Sequence, residues 1–300
     1  MQTKKPLISV IMPVFNSESF LVEAIESILN QTNRGFELLI IYDVSTDSSF
    51  AIIERYQNLD SRIRVIMGEK KALIGALNQG IDAAKGKFIA RMDADDISYP
   101  QRFEKQVELL ESAGADICGC HWLVMNAEGK ITEAKIAPLR KHAFTIFLAC
   151  GTPFAHGSVM IRADFIQRHA LRYGGVNYAE DYDLWTRCWE KGAIFANSDD
   201  FLFKYRDFDA SLSKRESKGT TSDTKVIRRR FVRRNSDACL DAILEMTKCY
   251  ASLSQTERIF LLLASYLVSL NSKRLIVIGV IKQSARRSIG IAILYLIRGF

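Results

Sequence analysis

The sequence lacks the marks of several protein classes. Its six cysteines, at positions 118, 120, 150, 188, 239 and 249, do not show the paired spacings of a zinc site, so we interpret them as reduced and mostly buried thiols. No apolar stretch reaches the roughly 20 residues of a membrane-spanning helix. No apolar secretion segment precedes the first strand pattern, so we expect a cytoplasmic chain. With 48% apolar and 25% charged residues, the chain is neither disordered nor collagen-like.

Charge is unevenly distributed along the 300 residues. Residues 214–300 carry 17 Lys and Arg against 6 Asp and Glu, whereas residues 1–213 carry 24 against 28. The chain therefore has a mildly acidic body and a strongly basic tail. We predict a boundary near residue 213 from this shift in composition.

Short apolar runs alternate with stretches of helical periodicity up to about residue 120. The predicted strands are Leu7–Met12, Phe36–Tyr42, Ile63–Met67, Phe88–Met92 and Asp116–Gly119, and the predicted helices are Glu18–Asn30, Ser48–Tyr56, Leu73–Ala84 and Gln101–Ser112. This alternation predicts an α/β fold with a mostly parallel sheet and helices on both faces. Ligands of such sheets bind beyond the carboxyl ends of the strands, which here points to Asp43 and to residues 93–96.

Three carboxylates directly follow the fourth predicted strand, in Arg91-Met92-Asp93-Ala94-Asp95-Asp96. Placed so close together, they repel one another. A divalent cation between these carboxylates and a diphosphate would remove the repulsion, because hard metal ions prefer oxygen ligands. The alternative is a surface loop whose acids are simply solvated.

Several ordered blocks resemble the family-2 glycosyltransferases, which have the GT-A fold. The blocks are Ser9–Asn16, Glu23–Thr32, Ala76–Ile81 and Ala83–Asp96, and the resemblance covers about residues 7–213. It implies a Rossmann-like GT-A domain followed by a C-terminal helical basic extension. It also implies an inverting, metal-dependent hexosyl- or N-acetylhexosaminyl-transferase that uses Mg²⁺ or Mn²⁺. The donor would be a nucleoside diphosphate sugar, by family habit a UDP-sugar, and the acceptor a saccharide or lipid-linked saccharide of a cell-surface polysaccharide.

The resemblance also implies roles for single residues. The implied donor-binding residues are Pro13, Phe15, Asn16, Asp43, Lys70, Asp93 and Asp95. Asp43 would accept a hydrogen bond from the base, and Asp93 would reach the ribose or sugar hydroxyls. Asp95, with Asp93, would hold the metal. Asp96 remains open between a direct role and a capping role.

A second acidic block, Tyr178–Trp185, resembles the acceptor-side Glu-Asp block of the family. Asp181 matches the base that an inverting transfer needs on the acceptor hydroxyl, and Glu180 would position the base or the acceptor. The alternative is a helix N-terminus enriched in acids because of its dipole. For Trp185 and His156 the sequence allows either a role in the site or a purely structural role.

The family pattern is broken in three places. Its Asp-Asp-Gly-Ser-Thr-Asp segment is here Tyr42–Asp47, and Val44 replaces the glycine, so we expect a different turn because valine does not take positive φ cheaply. Lys70 stands where an Asn and a Gly usually approach the nucleotide, and either contacts the diphosphate or is exposed. Phe208 lies near the usual position of a histidine that assists the metal.

We divide the chain into residues 1–120 as the nucleotide-sugar-binding half of the GT-A domain, 121–213 as its acceptor-binding half, and 214–300 as the basic tail. The second half contains short predicted strands, Val159–Ile161, Ile194–Ala196 and Phe201–Tyr205, and a predicted helix, Asp181–Lys191. Here the alternation of strands and helices is weaker than in the first half. We interpret this half as an extension of the same sheet.

Three apolar stretches of the tail, Ile259–Leu270, Leu275–Ile281 and Ile289–Ile297, are separated by Lys and Arg. This pattern is typical of helices that lie in a membrane surface, and we expect a peripheral protein at the cytoplasmic face of the inner membrane. A helical subdomain packed on the catalytic body is the alternative. The arginines at 228–230, 233 and 234 leave nucleic-acid binding open. Because the turn at Val44 is altered, a catalytically silent nucleotide-sugar-binding protein is a further alternative.

Overall fold

The computed structural model describes residues 5–68, 72–209 and 211–272. The chain divides into two compact units, each assembled from separate stretches of sequence. The first unit comprises the described residues within 1–137, 154–174 and 188–211, and the second comprises those within 138–153, 175–187 and 212–272.

The strands of the described residues all belong to the first unit. They are β1 (Ile8–Val14), β2 (Phe36–Tyr42), β3 (Ile63–Met67), β4 (Phe88–Arg91), β5 (Ile97–Ser98), β6 (Ile117–Met125), β7 (Ile131–Lys135), β8 (Met160–Arg162) and β9 (Phe195–Arg206). They form one sheet with the order β3-β2-β1-β4-β8-β6-β9-β5, and β7 pairs with β6. The pairs among β3, β2, β1 and β4 are parallel, whereas β8 is antiparallel to both of its neighbours. The α/β fold predicted from the alternation of strands and helices is confirmed.

The helices are α1 (Leu21–Leu29), α2 (Ser49–Leu59), α3 (Ala72–Ala83), α4 (Arg102–Ser112), α5 (Lys141–Leu148), α6 (Ala163–Arg168), α7 (Glu180–Glu190), α8 (Leu212–Arg215), α9 (Ser217–Arg234), α10 (Ser236–Lys248) and α11 (Gln255–Ser272). Apolar spacing explains the orientation of α1, which buries Leu21, Ala24, Ile25 and Ile28 on one face.

The central strand β2 is buried along its whole length, as expected of a parallel strand covered on both sides. Its single charged residue, Glu37, is hydrogen-bonded and ion-paired within the first unit. The carboxylate of Glu37 accepts hydrogen bonds from Ser9 Oγ at 2.6 Å and from the Lys85 backbone N–H at 3.0 Å, and it pairs with Arg64 at 2.7 Å. A buried charge is tolerated in this position because it is paired and hydrogen-bonded.

Strand β9 differs from its sequence-based prediction. Two short strands were expected at 194–196 and 201–205, but Phe195–Arg206 is one long strand that runs parallel to β6. The register shifts next to His121, opposite the stretch that contains Asp199 and Asp200. Acidic residues interrupt the apolar pattern there, and the irregularity in the ladder accommodates them without ending the strand.

The second unit is helical and has its own apolar core. It contains α5, residues 180–187 of α7, and α8 to α11. The rings of Phe147 and Phe260 stack at 4.0 Å, and Tyr182 Oη donates to the carbonyl of Leu148 at 2.5 Å. The described part of the predicted apolar stretch 259–270 contributes buried residues to this core, among them Leu261 and Ala264.

No helix among the described residues is both long enough and apolar enough to cross a membrane. The other two apolar stretches of the tail, Leu275–Ile281 and Ile289–Ile297, lie outside the described residues.

Candidate functional site

The strand order brings the carboxyl ends of β1, β2 and β4 together on one side of the sheet, which we call the carboxyl edge. β1 lies between β2 and β4 and is parallel to both. The backbone N–H of Asp43 donates to Val14 O at 2.9 Å, and the N–H of Met92 donates to Ile11 O at 3.1 Å. The residues that follow the three strands are therefore neighbours, and the chain reverses strand order at this point. Such a switch point is where open α/β sheets bind ligands.

The loop after β1 is hydrogen-bonded to the loop after β2. Asn16 has φ of 46°, in the left-handed region that asparagine tolerates better than most residues. Its amide oxygen accepts a hydrogen bond from the Thr46 N–H at 2.8 Å, and its own N–H donates to Ser45 Oγ at 3.0 Å. The side chain of Asn16 thus holds the two loops together, while Phe15 beside it is 59% exposed and Pro13 is half-buried within β1.

Asp43 presents an unused carboxylate oxygen at this edge. Its Oδ1 is buried and has no hydrogen-bond partner among the described residues. Gly68 leaves room beside it, because a Cβ at that position would lie 3.1 Å from the same oxygen. A buried acceptor without a partner is costly, and such atoms often mark a place that a ligand completes. Val44 is not among the described non-glycine residues with positive φ, so the turn does not require a glycine there.

The acids after β4 experience different environments. Asp93 pairs with Arg91 at 2.5 Å. Burial, followed by the negative charge of Asp93, raises the pKa of Asp95 to about 7. Asp96 is 1% exposed, and burial together with its acidic neighbours raises the pKa of its carboxyl well above the usual range. Oδ1 of Asp96 accepts the Arg206 N–H at 2.7 Å, whereas Oδ2 is buried without a partner among the described residues.

Arg206, at the end of β9, was not singled out by the sequence analysis. Its guanidinium is almost fully buried and donates to the carbonyls of Asp95 at 2.8 Å and Ala127 at 2.9 Å, and to the carboxylate of Glu23. It also lies 4.2 Å from the centre of the Phe20 ring. Arg206 therefore holds the acidic loop in place and supplies positive charge behind it. The sequence signal was only a cation at the end of an apolar run, which many surface arginines share.

The buried Arg102 is a second residue that the sequence analysis missed. It begins α4 and donates to Arg91 O at 2.9 Å and Gly157 O at 3.0 Å. Burial lowers the pKa of Arg102 to about 10, so the side chain remains charged at neutral pH. It joins the end of β4 to the turn at residues 156–158. A Cβ on Gly157 would lie 2.9 Å from Oδ2 of Asp93, so the turn passes directly beside the acids.

His156 lies in the same turn. Its Nε2 is 3.0 Å from Tyr173 Oη, and the backbone of Tyr173 is held by two hydrogen bonds with the side chain of Asn78. Burial and the nearby Arg91 lower the pKa of His156 well below its ordinary value. The ring is therefore neutral at pH 7 and tied to the first unit.

Glu180 and Asp181 belong to the second unit, at the start of α7. Glu180 is buried and Asp181 is partly exposed. In the same helix Asp183 is completely buried and forms ion pairs with Arg187 at 2.6 Å and Arg230 at 2.5 Å. Trp185 is fully buried.

The structure thus brings Pro13, Phe15, Asn16, Asp43, Asp93 and Asp95 to one edge of the sheet in the first unit. Lys70 lies outside the described residues. Among the residues that are described, no group of three His, Cys, Asp or Glu side chains could by itself hold a metal ion.

Comparison with known proteins agrees with this geometry. The model of glycosyl transferase family 2 matches residues 9–168. EpsE of Bacillus subtilis (strain 168) is 37% identical over 228 residues, 74% of this chain and 80% of EpsE. The O-antigen biosynthesis glycosyltransferase WbnJ of Escherichia coli is 34% identical over 213 residues, 69% of this chain and 82% of WbnJ.

A solved structure of similar fold is that of S. aureus TarS residues 1–349 in complex with UDP-GlcNAc. Its TM-score is 0.61 at 16% identity, and the match covers 88% of this chain and 71% of that chain. At this level of identity the likeness concerns the fold.

Proposed function

The chain belongs to glycosyl transferase family 2, and from this premise we propose that it transfers a sugar from a UDP-sugar to a saccharide or lipid-linked acceptor during synthesis of a cell-surface polysaccharide. The observation that carries the proposal is the pair of buried carboxylate oxygens, Asp43 Oδ1 and Asp96 Oδ2, that have no partner among the described residues. Both lie at the switch point of the sheet. A nucleoside diphosphate sugar offers a ring N–H for the first and a cation-bearing diphosphate for the second.

Asp43 is our candidate for recognition of the base. A carboxylate oxygen accepts a hydrogen bond from a ring N–H, such as the one that uracil carries, and a charge-assisted bond of this kind is strong when it is buried. The exposed ring of Phe15 lies at the same edge and offers an apolar surface to the base. TarS, which has a similar fold, was solved in complex with UDP-GlcNAc, and a uridine nucleotide is our candidate here.

The resemblance to this family implies a divalent cation, and the structure of the mannosyltransferase PcManGT from Pyrobaculum calidifontis, which has a similar fold, contains Mn²⁺. Together with oxygens of a bound diphosphate, the residues present fit one, because three carboxylates fall within four positions and one buried oxygen of Asp96 is unused. We assign Asp95 as the main ligand of Mg²⁺ or Mn²⁺, with Asp93 beside it. Bound there, the cation would neutralise the charge of the departing diphosphate. The guanidinium groups of Arg206 and Arg102 hold the acidic loop through the backbone carbonyls of Asp95 and Arg91, so they do not occupy the carboxylate of Asp95.

Asp181 is our candidate for the catalytic base, on the strength of its match to the acceptor-side block of the family. It would take the proton of the acceptor hydroxyl as that oxygen attacks the anomeric carbon. The bond from the anomeric carbon to the diphosphate oxygen breaks on the opposite side, so the configuration inverts. Glu180 would orient the acceptor or the base. If the acceptor is lipid-linked, the enzyme would act at the cytoplasmic face of the membrane.

The proposal is tested by measuring nucleoside diphosphate release from a panel of nucleotide sugars, with Mg²⁺ or Mn²⁺ and a membrane extract as acceptor. We expect one uridine donor to react, and Asp95→Ala to abolish the metal-dependent release. Asp181→Asn should lower turnover by about 10²–10⁴-fold while donor binding changes little, because the base acts only in the chemical step. Asp164→Asn, an exposed acid of α6, is the matched control and should behave as wild type.

Two outcomes would contradict the proposal. Metal-dependent donor binding without release, with every acceptor, would indicate a silent nucleotide-sugar-binding protein. Failure to bind any donor would show that the altered turn at Val44 abolishes recognition.

A further inference from the structure

Helix α9 of the second unit carries a row of four exposed cations. Lys218, Lys225, Arg229 and Arg233 are spaced by 7, 4 and 4 residues, and all four are exposed. At about 100° per residue this spacing keeps them within roughly 80° of the helix circumference, over a length of about 22 Å. The opposite side of the helix buries Ile227 and Phe231. We call these four residues the α9 basic row.

The α9 basic row is not used for contacts among the residues that the structure describes. None of its four side chains has an ion pair or a hydrogen bond within the described part of the chain. Arg230 of the same helix differs, because it points to the core and pairs with the buried Asp183. Asp223, an acid of α9, is also engaged, since it accepts the backbone N–H groups of Asn177 and Tyr178 at 3.0 Å. The charge of the row is therefore available to a partner.

Most of the described apolar residues of α11 are packed into the core of their own unit, although Tyr266 is 45% exposed. Phe260 is stacked on Phe147, and Leu261, Leu263, Ala264 and Val268 are buried. This part of the tail therefore cannot place a broad apolar face into a membrane without unpacking its own core. Val226, which borders the α9 basic row and is 56% exposed, is the apolar side chain nearest to it on the helix surface. Attachment through the described part of this unit would be mainly electrostatic.

We propose that the α9 basic row docks the protein on a surface of anionic lipid head groups. Four cations on one side of a helix can contact a flat surface of many small anions together, and each cation near such a surface adds to the binding free energy. Single-stranded nucleic acid is less well matched, because its binding uses aromatic side chains that stack on the bases. Phe231, the one aromatic residue of α9, is buried.

The proposal goes beyond sugar transfer and does not depend on it. The test measures co-sedimentation of the full-length chain with vesicles of phosphatidylcholine, alone or mixed with phosphatidylglycerol, without donor or acceptor. The variant replaces the four cations of the row by glutamine. Its control replaces four exposed lysines elsewhere, Lys5, Lys130, Lys141 and Lys191, and so removes the same net charge.

We expect wild type to bind the anionic vesicles and not the neutral ones, with affinity falling steeply as salt is raised. The row variant should lose roughly 600-fold of that affinity, at about fivefold for each of the four cations, whereas the control should lose only a few-fold. Circular dichroism and thermal melting establish that both variants are folded. Turnover of a soluble acceptor should be the same in both, which separates this result from the test of transfer.

Several results would overturn the proposal. These are an equal loss in both variants, unchanged vesicle binding in the row variant, and no preference for anionic vesicles. Tighter binding of a single-stranded RNA than of anionic vesicles at the same salt, lost in the row variant, would assign the row to nucleic acid instead.

Discussion

At the scale of single residues, the site is defined by which buried oxygens are satisfied and which are not. Both oxygens of Asp183 are paired with arginines, so this carboxylate belongs to the structure. Asp43 and Asp96 each keep one buried oxygen without a partner among the described residues. A protein tolerates such an unsatisfied group where a ligand later satisfies it, and this difference distinguishes Asp43 and Asp96 from Asp183.

Asp43→Ala should weaken the binding of UDP by about 10- to 100-fold, which corresponds to the loss of a hydrogen bond to a charged group. Thermal stability should be unchanged or slightly higher, because the variant also removes a buried oxygen that has no partner in the described structure. Titration calorimetry with UDP and a melting curve give the two numbers. Asp164→Ala serves as the control. A large loss of stability with unchanged UDP affinity would show that Asp43 is structural.

Arg206→Lys should destabilise the protein by roughly 2–4 kcal/mol, because one ammonium cannot replace a planar guanidinium that reaches Glu23 and the carbonyls of Asp95 and Ala127 at once. Denaturant unfolding measures the change. Arg168→Lys, on the exposed side of α6, should stay within about 0.5 kcal/mol of wild type. Equal stability of the two variants would contradict the role given to Arg206.

At the scale of elements, α7 carries acids of two kinds within four residues. Asp181 is partly exposed, whereas Asp183 is completely buried between Arg187 and Arg230. Residues 180–183 span little more than one helical turn, so neighbouring acids point in different directions. The helix thereby presents a partly exposed acid on one side and anchors itself to α9 on another.

Asp183→Asn should cost about 3–5 kcal/mol of folding free energy, because it leaves two cations next to a neutral amide in a buried position. Asp181→Asn should cost less than about 1 kcal/mol and act on turnover instead. Denaturant unfolding and a turnover assay of both variants distinguish the two roles. If the stability losses were reversed, the assignment of the catalytic acid within this helix would be wrong.

At the scale of the whole molecule, the accessibility of the six cysteine thiols shows how completely the cores of the two units are buried. All but Cys249 are buried. Burial raises the pKa of the thiols of Cys118, Cys150 and Cys120, the last to about 11. The reactive thiolate is therefore scarce at these positions at pH 8.

We expect one thiol per chain, that of Cys249, to react with Ellman's reagent in the native protein, and six in denaturant. Cys249→Ser should remove the native reaction and leave five on unfolding. Rapid reaction of two or more native thiols would show that one of the cores opens readily.

The local pattern of the sequence was sufficient for the α/β alternation and for the acids that follow β2 and β4. Burial of a strand or of a helix face leaves a periodicity that can be read from neighbouring residues, so the bounds of β2, β3, α3 and α7 were predicted to within a residue or two. The division of the chain at residues 120 and 213 remains a prediction.

The contacts that complete the site could not be read from the sequence. Arg206 meets Asp96 across 110 positions, and Arg102 meets Gly157 across 55. Such pairs depend on the strand order of the sheet, which no local pattern encodes. The same holds for the tail, where an apolar stretch reads alike whether it enters a membrane or packs into a core. Residue types and local periodicity thus determined the elements and the acids, whereas only the tertiary structure decided which charges are used internally, because pairing depends on distances in space.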